Sequence, residues 1–364
     1  MSNYNAPIAI HPGETLLEFL EGEAMTQVQL ASRTGLTKKT INKIIKGKNP
    51  ITHDTALKLS IIFNTSDTFW NNLQRSYDET ITRLALDDKL SRELEIAKKF
   101  TCYKQLINYK YISGFKKIEE KAFALLKFLG ISSFDFMEKN YHVAYRKAQT
   151  DNISKENLIA WLRCGEIEAE KNKEKLKSFN REKLISVIPK LRKLTIESPK
   201  DYPNKFVDLL SSCGVILVYV PYLTKTYVNG ATRWLNSCNP LIQIAPRFKR
   251  EDGLLFTIFH ELGHILKHGK SIGYINLEES KRIVLSDASI KAEREADAFA
   301  QLTLINKRDW NKFLNKGIYT YQAIDEFAKK IEISSSIVSG RLAYELKDYS
   351  RFQKLIGKVS IKTP

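Results

Sequence analysis

Apolar residues recur at helical spacing through the first eighty positions. Leu16, Leu17 and Leu20 follow Gly13 and predict a helix over 14–23. Thr26 suits the N-cap of a helix over 27–34, Gly35 suits a left-handed turn, and Thr37 suits the cap of a helix over 38–47. Thr52 or His53 opens 54–63, and Ser66 opens a helix from 67 to 77 or beyond. Five helices this short predict a compact all-α domain over 1–80.

From 81 to 195 the chain is Lys-rich and helical in period, with a long helix expected over 80–111 and others over 115–129, 155–175 and 181–194. Gly130 and the Ser132-Ser133 pair interrupt it. The stretch carries no legible chemistry and is expected to be a helical linker or support region. After Pro199 the pattern changes. The β-branched run 215–220, ended by Pro221, predicts a strand, as do 227–234 and 241–245. A long helix over 253–267 follows, then helices over 290–304, 307–314, 321–331 and 335–346. The expected fold class is multi-domain and mostly α: the five-helix domain, the helical middle region, an α+β domain over 196–346 and a tail over 347–364.

Charge sharpens the first domain. The chain holds 58 basic and 41 acidic residues, a net +17, which favours a polyanionic partner. Residues 1–80 are nonetheless neutral, and six of their eight basic residues crowd into 33–48, where no acid occurs. Ile41, Ile44 and Ile45 form one face of the predicted third helix. Lys39, Asn42, Lys43 and Lys46 form the opposite face. A helix presenting Lys and Asn after a Gly turn is a helix-turn-helix, able to meet base edges and phosphates in a major groove. Gln27, Thr37, Lys38, Lys39, Thr40, Asn42, Lys43 and Lys46 are the expected DNA contacts.

A second motif lies at 260–264, His-Glu-Leu-Gly-His. One helical turn puts His260 and His264 on one face, able to bind one zinc ion, and places Glu261 to polarise a water. The surrounding Leu254, Leu255, Phe256, Ile258, Phe259, Leu262, Ile265 and Leu266 predict a buried helix, where such polar residues are costly without a partner. A third ligand is needed. His268 continues the same helix and is poorly placed to close around one ion. Glu293 and Asp297 share a face on a later helix, so Glu293 is the expected ligand and Asp297 the group that orients a ligand imidazole, with Glu295 as the alternative ligand. Arg341 or Tyr274 could serve as a transition-state stabiliser, although a structural role is the expectation for each.

Cys102, Cys164, Cys213 and Cys238 form no CxxC pair, which fits a reducing cytosol. No apolar run is long enough for a membrane helix, and the N-terminus has no basic region leading into an apolar core. A cytoplasmic protein with no membrane partner is expected.

The first domain resembles the HigA-type antitoxin branch of the XRE/Cro-like helix-turn-helix family, through His11-Pro12-Gly13-Glu14, Thr40-Ile41-Asn42, Gly47-Lys48, Ile51-Thr52, Thr55-Ala56 and Phe69-Trp70-Asn72-Leu73. The resemblance implies a homodimer on a palindromic operator and neutralisation of a HigB/RelE-like toxin. The last domain resembles the ImmA/IrrE metallopeptidases, with a gluzincin-like fold, through 230–234, 256–264, Glu293, Ala296, Asp297, Phe299, Ala300 and 339–342. That resemblance implies zinc-dependent cleavage of a protein such as a repressor. The expected function is therefore a DNA-binding antitoxin that carries a zinc metallopeptidase domain. Two alternatives remain open: a stress-response or phage-type regulatory protease that cuts a separate repressor, and a non-catalytic zinc-containing binding or sensor protein.

Overall fold

The computed structural model describes residues 8–141, 153–171, 177–235, 238–246, 249–269, 274–277 and 287–361. It divides into two compact units, Met1–Glu95 and Ile96–Pro364. The fold is mostly helical and multi-domain, with helix-turn-helix elements in the first unit and a small sheet in the second.

In the first unit α1 spans Pro12–Gly22, α2 Gln27–Thr34, α3 Lys38–Ile45, α4 His53–Phe63, and α5 starts at Asp67. Local chemistry sets these limits. His11 Nδ1 accepts the Gly13 N–H at 2.9 Å and Pro12 pre-sets the first turn, so α1 begins two residues before the sequence pattern suggests. Thr26 and Gln29 close a capping box on α2, and Gly35 ends it at φ +70°. Leu16, Leu20, Leu30, Ile41, Ile44, Leu59 and Trp70 fill one core. Gly13 is confined by sterics: a β carbon there would stand 2.0 Å from the Ile44 carbonyl oxygen, so α1 meets α3 backbone to backbone.

The expected helix over 80–111 is overturned. α5 runs without a break from Asp67 to Lys98, and a separate α6 occupies Tyr103–Asn108. Nothing near residue 80 stops a helix; the Thr80 and Thr82 hydroxyls bond back to the Ser76 and Asp78 carbonyls at 2.7 and 2.8 Å. The stop comes where Phe100 turns into the core and the Cys102 N–H bonds Asn157 Oδ1 at 3.2 Å instead of continuing the ladder.

The second unit continues with α7 (Ile118–Leu129), α8 (Met137–Asn140), α9 (Lys155–Glu170), α10 (Arg181–Leu194) and α11 (Tyr202–Ser212). The strands are β1 (Ile216–Tyr219), β2 (Val228–Trp234), β3 (Pro240–Ile244) and β4 (Tyr274–Leu277), in the order β1-β3-β2-β4. β1 and β3 are parallel, and β2 is antiparallel to both β3 and β4. α11 and β4 carry no clear sequence signal; the expected end of α9 at 175 lies outside the described residues. α12 (Glu251–His268) and α13 (Asp287–Leu304) follow, then α14 (Lys307–Leu314), α15 (Tyr321–Lys330) and α16 (Ser335–Leu346).

β3 is buried along its whole length. α9 packs on the sheet through polar as well as apolar contacts. Gln243 Nε2 donates to the Trp161 carbonyl at 2.5 Å, Arg233 pairs with Glu166 at 2.6 Å, and Gly165 leaves the space that the Gln243 amide fills. The helices over 155–194 thus share one unit with the sheet and with α12.

Candidate metal centre and nucleic-acid face

α12 is buried on nearly every side: Leu254, Leu255, Ile258, Phe259, Leu262 and Ile265 form one apolar face, and Thr257, His260, Glu261, Gly263 and His264 on the remaining sides are buried as well. Apolar burial on both flanks leaves His260, Glu261 and His264 inside the protein at 0%, 0% and 1% exposure. Their partners come from α13. Gly263 lets the two helices close: a β carbon there would stand 3.1 Å from Ala296 Cα and 3.3 Å from its carbonyl oxygen. With Ala296 at the crossing, Glu293 and Asp297 lie on either side of it, one helical turn apart.

The geometry brings His260, His264 and Glu293 together. Their donor atoms all lie within 4.8 Å of one another, a group able to hold a metal ion. His260 Nε2 is 3.0 Å from His264 Nε2 and 3.3 Å from Glu293 Oε2, and His264 Nε2 is 3.8 Å from the same oxygen. The far nitrogens are also engaged. His260 Nδ1 meets Asp297 Oδ1 at 2.8 Å. His264 Nδ1 meets His268 Nδ1 at 3.1 Å, and His268 Nε2 meets Glu295 Oε2 at 3.0 Å.

A carboxylate only accepts, so His260 donates from Nδ1 to Asp297 and His268 donates from Nε2 to Glu295. His264 Nδ1 and His268 Nδ1 share one hydrogen bond. Two buried imidazole nitrogens and a buried carboxylate around one point favour a positive charge there, which a metal ion or a proton can supply. Burial lowers the His260 imidazole, but hydrogen bonds to Asp297 and Glu293 prevail and raise it to about 9. Burial pushes His264 down to about 4 despite Glu293, with the charge on His260 adding to the drop.

Glu261 faces the sheet. The Thr232 hydroxyl donates to its Oε2 at 2.7 Å, and a β carbon on Gly230 would stand 2.7 Å from its Oε1. Gly230 and Thr232 point to one face of β2, so a glycine makes room for the carboxylate and a hydroxyl holds it. Sequence reasoning did not single out Thr232; the Gly-x-Thr alternation on a strand was the available signal.

Glu295 sits beside His268 rather than in the three-donor group, and His268 belongs to the far side of His264. Arg341 is placed at the other end of α13. Its guanidinium donates to the Gln301 and Ile305 carbonyls at 3.3 and 3.1 Å, bonds Glu345 at 3.1 Å and lies 4.5 Å over the Trp310 ring. The backbone of Tyr274 is in β4, and its side chain lies outside the described residues.

In the first unit the polar face of α3 is turned to solvent. Thr37, Lys38, Lys39, Lys43 and Lys46 are exposed, Gln27, Thr40 and Asn42 half-buried, and Ile41 and Ile44 buried. Thr37 caps α3 by accepting the Thr40 N–H at 3.1 Å. Asn42 Nδ2 donates to Gln27 Oε1 at 3.3 Å, which ties the start of α2 to the middle of α3.

Comparisons with known proteins agree with this division. Residues 16–70 match the helix-turn-helix family, and residues 218–343 match the IrrE N-terminal-like domain. The virulence-associated protein I of Dichelobacter nodosus is 37% identical over 84 residues, covering 23% of this chain and 75% of that protein. A solved addiction module antidote protein of the HigA family from Coxiella burnetii is 35% identical over 23% of this chain and 92% of its own, with a TM-score of 0.22. The antitoxin HigA of Pseudomonas aeruginosa, solved with the higBA promoter, is 32% identical over 23% of this chain and 94% of its own, with a TM-score of 0.22. No described helix is long and apolar enough to cross a membrane. Through its first unit this chain belongs to the XRE-type helix-turn-helix family, and its second unit carries an IrrE N-terminal-like domain over residues 218–343.

Proposed function

We propose that this protein is a HigA-like operator-binding antitoxin whose second unit is a zinc-dependent endopeptidase acting on a protein substrate, such as a repressor, in the cytoplasm. One observation carries the enzymatic half: two imidazole nitrogens and a carboxylate oxygen, each buried, converge beside a general base that a hydroxyl holds in place. Two nitrogens and one oxygen are a donor set that suits catalytic zinc with an open position. The residues present therefore fit the metal.

His260, His264 and Glu293 would hold the ion. Zinc, when bound, supplies a Lewis acid that brings the pKa of a water toward 7. Asp297 orients the His260 ring through Nδ1, and the His268–Glu295 pair orients His264 in the same way. Glu261, fixed by Thr232, takes the proton of the attacking water and returns it to the leaving amine. Domain limits of 1–80, 81–195, 196–346 and 347–364 accompany this reading, with the middle helices supporting the peptidase sheet.

In the first unit, Lys38, Lys39, Lys43 and Lys46 meet phosphates, while Gln27, Thr37, Thr40 and Asn42 face base edges of a palindromic operator. A homodimer reads the two half-sites, and a HigB/RelE-like toxin is the protein partner. Two measurements test the two halves separately. Metal analysis of the purified chain is expected to give one zinc per chain, and absence of stoichiometric metal overturns the peptidase. A gel shift on the DNA upstream of the coding sequence is expected to give a discrete complex, and absence of preference for that DNA overturns the regulator.

A further inference from the structure

The positive charge of this chain lies outside its helix-turn-helix. Residues 1–95 hold 11 basic and 12 acidic side chains, a net of −1, whereas residues 96–364 hold 47 basic and 29 acidic. The unit that carries the recognition helix contributes nothing to the +17. From Ile96 to Ile118 there is no acid at all, and six lysines, Lys98, Lys99, Lys104, Lys110, Lys116 and Lys117, are all exposed. The only comparable run in the first unit is the recognition stripe itself.

The segment folds back on itself around Tyr103. The Tyr103 hydroxyl donates to the Ser113 carbonyl at 3.2 Å and accepts the Phe115 N–H at 3.3 Å. Gly114 packs on Ile107, and the Lys121 ammonium sits 5.6 Å from the Tyr103 ring centre. These contacts fold the chain over 113–115, with Phe115 41% exposed, back onto Tyr103 of α6. Lys110, just past the end of α6, adopts φ +61°, a left-handed conformation it shares with eight other described non-glycine residues and that glycine would adopt more freely.

We infer that this Lys104–Lys117 surface is a second nucleic-acid contact, gripping the phosphate backbone of duplex DNA without reading its sequence. Lysines that outnumber the two flanking acids, Glu119 and Glu120 in the first turn of α7, neutralise phosphates and release counterions, which raises affinity for any duplex.

The test uses the full chain and fluorescence anisotropy with two duplexes, the upstream DNA and one of unrelated sequence, across a salt series. Replacing Lys104, Lys110, Lys116 and Lys117 together by Ala is expected to make the slope of log affinity against log salt shallower by about three to four for both duplexes. The same four positions as Arg are expected to keep the slope. Lys110→Gly alone is expected to raise the melting temperature while lowering the slope by about one, which keeps the proposal testable if the fourfold variant misfolds. An unchanged slope in folded variants overturns the proposal. So does loss of binding to a polyglutamate peptide with the duplex slope intact, which would make the surface a dock for an acidic protein.

Discussion

The two units handle polar residues in opposite ways. In the first, the residues proposed to meet DNA lie within 27–46, exposed or half-buried, and ask little of the core beneath them. In the second, the three-donor group and its base are buried, and their partners come from β2, α12 and α13. An exposed lysine needs only a helix to stand on. A buried histidine or carboxylate needs a bonded neighbour for each polar atom, because an unmet group in an apolar interior costs about 1–3 kcal/mol or more. A binding face can therefore be specified by one short stretch of chain, whereas a hydrolytic centre must be specified by several stretches at once.

That contrast can be broken or sharpened by experiment, in order of effect. Glu261→Gln is expected to lower turnover of an unfolded protein substrate by about a hundredfold to ten-thousandfold while keeping one zinc per chain. Parallel metal analysis and product mass spectrometry check it, and full activity in the variant would remove Glu261 from the chemistry. His268→Ala, which leaves His264 without its Nδ1 partner, is expected to weaken zinc binding about tenfold to a hundredfold in chelator competition, with melting of the first unit unchanged. Zinc affinity should also depend on pH. His260 is held protonated up to about pH 9 in the metal-free protein, so zinc must displace that proton, and apparent affinity should rise about tenfold per unit between pH 6 and 8. A flat profile would show that no proton leaves.

Smaller effects belong to the first unit. Lys39→Ala and Lys43→Ala should each weaken operator binding and make the salt slope shallower by about one, read by gel shift. The smallest concerns His11. Burial lowers its pKa, against the pull of Asp78 and Glu14, and its Nδ1 must be unprotonated to accept the Gly13 N–H. A group whose folded pKa is depressed stabilises the fold above its unfolded pKa and ceases to as pH falls. The first unit should thus lose melting temperature as pH drops below about 6.5, and His11→Asn, an alternative cap, should flatten that dependence.

Legibility in the sequence follows the same line. The caps at Thr26, Thr37 and Thr52, the Gly35 turn and the Ile41–Ile44 face are local signals, and each could be read directly. The His260–His264 pair is local too, and Glu293 with Asp297 could be found by looking for a second polar face at helical spacing. What escaped was non-local. The end of α5 depends on Asn157, more than fifty residues away, and Thr232 matters only because Glu261 lies across from its strand. The pairing of His268 with Glu295 joins two residues that each look like weak ligand candidates alone. No periodicity within one segment can report a contact made with another.

The close approach at Gly263 sets the gauge of the whole centre. α12 and α13 touch there with almost no side chain between them, so the gap between rings and carboxylate is dictated by one missing methyl group. An alanine at that position would ask the Ala296 backbone to give by a few tenths of an ångström, and would shift Glu293, on the same turn of α13, relative to the imidazoles while leaving each donor chemically intact.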